Sequence, residues 1–210
     1  MSAHPAVLRV NSNAPEEALI AEAVRVLRSG GLVAFPTETV YGLAADATNP
    51  KALERLNRVK GRPPEKPYSI HVSDTTQVRA IIGEIPPMAR RLMEQFWPGP
   101  LTIVMQAKDG TTVGFRLPNH PVAQAFLYRC QGRVVAPSAN RSGSPPPTDG
   151  QEVLAALDGD FDCLLDAGPT MLGRESTVVS VVGETLTILR EGAVPAQQVQ
   201  RALEGAHDGG

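Results

Sequence analysis

Short apolar segments that alternate with helical segments are the feature that most constrains the fold of this 210-residue chain. The periodicity predicts helices at about 13–28, 50–60, 75–82, 86–96, 121–130, 150–157 and 195–204. It predicts strands at about 32–35, 67–72, 101–107, 113–117, 133–136 and 162–165, followed by a hairpin of 176–182 and 186–190. The alternation indicates an α/β fold: a single domain with a twisted mixed parallel/antiparallel sheet and flanking helices.

The boundaries follow from local signals. Asn13-Ala-Pro-Glu16 predicts a capping box that begins the first helix, so we place an N-terminal tail at 1–12. The domain then extends over 13–205, and 206–210 forms a C-terminal tail.

The chain carries no segment typical of a membrane span or a secretory signal, and its two cysteines have no metal or redox spacing. We therefore expect a cytoplasmic protein with buried thiols and no membrane partner. The formal charge of −2 disfavours a broad basic surface for nucleic acid. The chain also lacks a P-loop, a dinucleotide-binding fingerprint, a G-x-S-x-G elbow and any His/Cys cluster.

Three polar loops remain as places for chemistry. The loop at 36–43 follows the strand at 32–35, where ligands commonly bind in α/β sheets, although it also fits a plain strand-to-helix connection. The segment from Lys60 to Pro67 holds three cations among three prolines, which suits phosphate binding, or a solvated helix end. The loop at 136–143 offers small hydroxyl and amide donors for an anion, or forms a cluster of turns.

Seven segments, in order over about residues 15–205, resemble the YrdC-like threonylcarbamoyl-AMP synthases. They are Phe-Pro-Thr-Glu-Thr-Val-Tyr-Gly-Leu (35–43), Lys-x-Arg (60–62), Trp-Pro-Gly-Pro-Leu-Thr (97–102), Arg-Leu-Pro-x-His-Pro (116–121), Ala-Pro-Ser-Ala-Asn-x-Ser-Gly (136–143), Glu-Ser-Thr-Val-Val (175–179) and Leu-Arg-Glu-Gly (189–192). The resemblance implies a YrdC/RibB-like fold with a concave cationic cleft. It also implies a reaction in which L-threonine, bicarbonate and ATP give threonylcarbamoyl-AMP and pyrophosphate, for threonylcarbamoyladenosine modification of tRNA.

The resemblance also implies the site residues. For ATP binding they are Lys60, Arg62, Thr112, Ala136, Ser138, Asn140 and Arg190, with Lys60 and Arg62 as the catalytic cations. For threonine binding they are Thr37, His71, Arg116 and Ser176. We expect replacement of Lys60 or Arg62 by alanine to lower activity by orders of magnitude with little change in melting temperature.

No protein metal ligands are expected, because Mg²⁺ would arrive with ATP through phosphate oxygens. Glu38 and Asp46 are the only nearby acids. The expected partners are the substrates, a downstream threonylcarbamoyl-transfer machinery and a weak contact with tRNA. Three alternatives stay open: a YrdC-like paralogue without this activity, the carbamoyl-transfer relative of hydrogenase maturation, and an RNA-binding module that uses the concave face. The short chain disfavours the second, and its nine aromatic residues disfavour base stacking in the third.

Overall fold

The computed structural model describes residues 4–61 and 67–204, and these form seven helices around a ten-stranded mixed sheet. The helices are α1 (Glu17–Arg28), α2 (Pro50–Lys60), α3 (Thr75–Ile82), α4 (Pro87–Phe96), α5 (Pro121–Cys130), α6 (Gly150–Leu157) and α7 (Ala196–Glu204). The strands are β1 (Ala6–Arg9), β2 (Val33–Phe35), β3 (Gly42–Asp46), β4 (Ile70–His71), β5 (Leu101–Gln106), β6 (Thr112–Arg116), β7 (Val134–Val135), β8 (Cys163–Asp166), β9 (Thr177–Val182) and β10 (Thr185–Arg190). The predicted α/β class with a mixed sheet is therefore confirmed.

The strand order across the sheet is β1-β8-β2-β3-β7-β4-β6-β5-β9-β10. Strands β1 and β2 both pair parallel with β8, β4 pairs parallel with β6, and β5 pairs parallel with β9, while the other neighbouring pairs are antiparallel. Sequence neighbours are thus often separated in space, which brings loops from distant parts of the chain to one region.

Two apolar cores cover the sheet, because alternate residues of a strand face opposite sides. Leu32, just before β2, and Ala34 on β2 point into the larger core, which α2, α3, α4, α6 and α7 complete. Val33 and Phe35 point into the smaller core beneath α1 and α5. The smaller core extends from β1 to β7, the first five strands in the sheet order, and α1 and α5 cover this half. The same face of the other half, β4-β6-β5-β9-β10, has no helix over it among the described residues.

The N-terminal boundary was wrong in two respects. Residues 6–9, which we placed in a tail, form β1 at the edge of the sheet beside β8. The capping box is also absent, because Glu16 is the N-cap and makes no side-chain cap bond, and helix α1 begins at Glu17. The Glu16 carboxylate instead accepts the backbone N–H of Asn11 at 3.0 Å.

The sequence did not predict β3, which begins at the last two residues of the first polar loop and continues to Asp46. Residues 36–41 therefore connect the two strands of an antiparallel hairpin, β2 and β3, rather than a strand and a helix. No helix in the described residues is both long enough and apolar enough to cross a membrane.

Candidate functional site

A cleft of about 770 Å³ lies over the half of the sheet that α1 and α5 leave bare. Alternate side chains of each strand face opposite sides of the sheet, and those on one side form the floor of the cleft. On β5, Thr102 and Val104 face the cleft while Leu101, Ile103 and Met105 face the larger core. The same alternation brings Thr112, Gly114 and Arg116 of β6, and Val178 of β9, to the floor.

The pairing of β4 with β6 and β7 shows where the cleft meets the half of the sheet that α1 and α5 cover. His71 on β4 is the Cα partner of Arg116 on β6 and of Val134 on β7. Val134 belongs to the smaller core, so His71 and Arg116 lie where the core ends and the cleft begins. The His71 ring packs edge-on against Phe35 of that core, with centroids 6.2 Å apart.

Close packing also shapes the floor at Gly114. A Cβ atom at this position would lie 2.5 Å from the Oγ atom of Ser69, so a side chain would collide with the segment before β4. The absence of a side chain keeps that segment, which also lines the cleft, against the sheet.

Nine of the eleven predicted site residues line this one cleft. They are Lys60, His71, Thr112, Arg116, Ala136, Ser138, Asn140, Ser176 and Arg190. Arg62 lies outside the described residues. Thr37 is buried and is not a lining residue; its Oγ1 atom hydrogen-bonds with the Oγ1 atom of Thr39 at 2.8 Å.

Lys60 holds the third polar loop. It ends α2, it is only 4% exposed, and its Nζ atom donates to the backbone oxygens of Ser138 and Asn140, each at 2.5 Å. It also donates to the Asn140 side-chain oxygen at 3.1 Å. The Asn140 amide in turn donates to the backbone oxygens of Arg141 and Ser144, so the loop is fixed from within as well. This ammonium group therefore has a structural role, and its replacement should affect stability as well as activity.

Arg190 joins β10 to the segment before β9. Its Nη1 atom donates to Glu175 at 2.9 Å, and its Nη2 atom donates to the backbone oxygen of Ser176 at 2.9 Å. Beside it, the Ser176 hydroxyl lies 2.9 Å from the Thr102 hydroxyl. The absence of a side chain at Gly192 allows the chain after β10 to pack against Glu175, because a Cβ atom there would lie 2.3 Å from the backbone oxygen of Glu175.

Arg116 and Glu38 form a buried ion pair at 2.9 Å, with side chains 6% and 5% exposed. The second Glu38 oxygen accepts the backbone N–H of Asn119 at 3.0 Å. Asp46 accepts the backbone N–H and the hydroxyl of Thr48 ahead of α2. Neither of the two acids singled out in the sequence is thus an unengaged carboxylate.

The His71 imidazole stays neutral at physiological pH. Burial lowers its pKa to about 3, and the positive charge of Arg116 adds to the effect. Its Nδ1 atom has no hydrogen-bond partner among the described residues, and neither has the Nε atom of Arg116. Because buried polar groups are normally paired, these two atoms, on residues that pair across neighbouring strands, are candidates for contact with a bound polar ligand.

One polar residue on the floor of the cleft, Thr102, is missing from the predicted site residues. The sequence singled out Glu38 as a nearby acid, but it did not predict that Glu38 and Thr39 accept hydrogen bonds from Arg116 behind the cleft. The signal for Thr102 was present, because it is a polar residue in an otherwise apolar strand start. Its orientation depends on the register between β5 and β9, which the sequence does not give.

The fold and the cleft define a mixed α/β protein with a polar cleft on the uncovered half of its sheet. The chain belongs to the Sua5/YciO/YrdC family, whose family model, described as "Telomere recombination", matches residues 25–192.

Two relatives of similar sequence are named threonylcarbamoyl-AMP synthase. The threonylcarbamoyl-AMP synthase of Bacillus subtilis (strain 168) is 38% identical over 94% of this chain and 59% of the relative. The threonylcarbamoyl-AMP synthase of Chromohalobacter salexigens is 33% identical over 80% of this chain and 95% of the relative. A crystal structure of Pyrococcus abyssi Sua5 complexed with L-threonine superposes with a TM-score of 0.88 and 36% identity, over 94% of this chain and 60% of that chain. The chain thus spans about three-fifths of the length of the B. subtilis and P. abyssi proteins.

Proposed function

We propose that this chain synthesises threonylcarbamoyl-AMP and pyrophosphate from L-threonine, bicarbonate and ATP. The relatives' names support the reaction, and the P. abyssi neighbour supports L-threonine as the amino acid. One observation carries the proposal: a single cleft is lined both by Arg116 and His71, suited to an amino acid, and by the loop at Ser138 and Asn140, suited to a nucleotide.

The amino-acid subsite centres on Arg116. A guanidinium group pairs well with a carboxylate, and Arg116 has an unsatisfied Nε donor. His71 supplies an uncharged ring beside it, which does not repel the threonine ammonium group. Ser176 offers its hydroxyl, and Thr37 supports the subsite indirectly through Thr39.

The nucleotide subsite uses the other part of the cleft. Ser138, Asn140 and Ala136 contribute loop atoms, and Thr112 and Arg190 contribute side chains from the strands. The ammonium group of Lys60 holds the loop in its binding conformation and places positive charge beneath it. With Arg190, it adds positive charge to the cleft, which suits a polyphosphate, and we propose that Arg62 binds the same phosphates.

The reaction needs no protein nucleophile. The threonine nitrogen, once deprotonated, attacks the carbon of bicarbonate, and loss of water leaves a carbamate. A carbamate oxygen then attacks the α-phosphorus of ATP, the bond to the β-phosphate oxygen breaks, and pyrophosphate leaves. The protein contributes positioning and opposes the charge that develops on the phosphates, a role that we assign to Arg62 and Arg190.

Mg²⁺ would enter as part of the MgATP substrate. Within residues 4–61 and 67–204 no three His, Cys, Asp or Glu side chains are grouped to hold a metal ion, and the one acid that lines the cleft, Glu175, pairs with Arg190. This donor set fits a cation held by phosphate oxygens rather than by a protein cage.

The product is an activated mixed anhydride that a downstream threonylcarbamoyl-transfer machinery must consume on tRNA, with a weak tRNA contact to this chain. We propose a cytoplasmic location, which the two free buried cysteines support.

The test is pyrophosphate release from purified protein, MgATP, bicarbonate and L-threonine. We expect release with all components, and none when either L-threonine or bicarbonate is left out. Release that continues without L-threonine would overturn the assignment. A protein that binds tRNA tightly and releases no pyrophosphate would instead favour the RNA-binding alternative.

A further inference from the structure

Glu38 and Arg116 lie 78 residues apart in the sequence and meet beside the cleft. Both side chains are about 5% exposed, so neither pairs for solubility or surface charge. A buried ion pair is costly to desolvate, and its presence calls for an explanation beyond stability.

Both oxygens of Glu38 are engaged by the protein. Oε1 accepts Arg116 Nη2 at 2.9 Å, and Oε2 accepts the backbone N–H of Asn119 at 3.0 Å. A carboxylate held in this way is not poised to bind a substrate ammonium group or a metal ion. It instead accepts hydrogen bonds from Arg116 and from the backbone three residues later, at Asn119.

The Nη2 atom of Arg116 is hydrogen-bonded by the protein, whereas its Nε atom has no partner among the described residues. Its Nη2 atom donates to Glu38 and also to the Thr39 hydroxyl at 2.7 Å. Thr37 hydrogen-bonds with that hydroxyl, so three consecutive residues form the support. The Nε atom is buried without a partner among the described residues. A guanidinium group that is restrained at Nη2 while Nε stays unpaired is oriented for a further acceptor.

We propose that Glu38 is a positioning residue for the amino-acid subsite: with Thr39, it fixes the Arg116 guanidinium so that the substrate carboxylate meets an oriented partner. This inference rests on the proposed function, because it takes the ligand of Arg116 to be an amino-acid carboxylate. The restraint removes the side-chain entropy that a flexible arginine would lose on binding.

Glutamine cannot replace this glutamate fully. Glu38 accepts from two donors on two oxygens, whereas a glutamine amide offers one acceptor and one donor group. In a Glu38→Gln variant, either Arg116 or Asn119 therefore faces an N–H group. The carboxylate of the substrate then meets a less restrained arginine.

Calorimetric titration with three probes tests the proposal: L-threonine, L-threoninamide, which lacks the carboxylate charge, and ATP. We expect Glu38→Gln to raise the Kd for L-threonine about tenfold or more, in line with loss of an oriented charged hydrogen bond. The Kd values for L-threoninamide and ATP should change by less than about threefold. The unaltered ATP affinity reports that the variant is folded.

Two further variants serve as a second test of the Arg116 support and as a matched control. Thr39→Val removes the second acceptor of Nη2 at constant shape, and it should lower the preference for L-threonine over L-threoninamide even if Glu38→Gln fails to fold. Glu17→Gln makes the same substitution in the exposed pair with Arg129, and it should change none of the three Kd values.

The outcomes separate the two proposals. If the wild-type protein fails to bind L-threonine, the proposed function fails and this inference with it. If the wild type binds L-threonine but folded Glu38→Gln and Thr39→Val bind it equally well, or more tightly, only the inference fails. Equal weakening of L-threonine and L-threoninamide would also overturn it, because a general distortion would then explain the loss.

Discussion

Replacement of Lys60 by methionine is the most informative stability test of this site. The substitution keeps the length and volume of the stem and removes only the ammonium group. Three acceptors on Ser138 and Asn140 then lose a charged hydrogen bond inside the protein. We expect loss of activity together with a lower melting temperature.

The magnitude follows from two opposing effects. A hydrogen bond to a charged group contributes about 1.5–3 kcal/mol, and three such bonds are lost. The variant no longer buries a charge, which offsets several kcal/mol. A net cost of about 2–4 kcal/mol remains. In a chain of this size each kcal/mol shifts the melting temperature by about 2–4 °C, so a decrease of at least about 4 °C is expected.

Thermal unfolding monitored by circular dichroism measures this change. Lys51→Met is the matched control, because Lys51 is an exposed lysine near the start of the same helix. The control should stay within about 0.5 kcal/mol of wild type, as surface substitutions usually do. A Lys60→Met protein that melts at the wild-type temperature and loses only activity would refute the structural role of this ammonium group. It would return Lys60 to the purely catalytic role expected from the sequence.

Three further predictions address other parts of the molecule. Thr102→Val removes the hydroxyl beside Ser176 and should weaken L-threonine binding by about 2- to 10-fold in a calorimetric titration, while an unchanged Kd would exclude a role for this pair. The depressed pKa of His71, about 3 against 6.5, means that the unfolded state binds a proton near pH 5 and the folded state does not. Stability should therefore fall by about 2 kcal/mol between pH 7 and pH 5 on account of His71, and urea titrations should show a smaller fall in His71→Gln. Burial raises the pKa of Cys130 and Cys163 to about 12, so iodoacetamide at pH 7.5 should label both at least about 100-fold more slowly in the native protein than in urea.

The sequence predicted the helices and central strands well because each has a strong local pattern. Helix α2 is an example: Asn49 caps it, Pro50 begins it, and Gly61 ends it with a positive φ of 60°. Strand β3 lacks such a pattern, because Gly-Leu-Ala-Ala-Asp has few β-branched residues and is buried mainly by its neighbours β2 and β7. Strand β1 consists of four partly exposed residues, and its pairing with β8 is a long-range contact.

The predicted site residues came from motif resemblance, and the structure brings nine of them to one cleft. What the sequence did not give was the pairing between them. The burial of Lys60 against Asn140 and the ion pair of Arg116 with Glu38 each join residues about 80 positions apart. Such contacts depend on sheet register and loop packing, which no local pattern encodes.

Incorporation of ¹³C from labelled bicarbonate into an adenylate product tests the central claim most directly. The protein is incubated with MgATP, L-threonine and ¹³C-bicarbonate, and the products are separated and their masses are measured by mass spectrometry. The account predicts a species with the mass of threonylcarbamoyl-AMP that is one mass unit heavier with the labelled bicarbonate than with the unlabelled. An adenylate of threonine without the label, or no threonine-dependent adenylate at all, would contradict it.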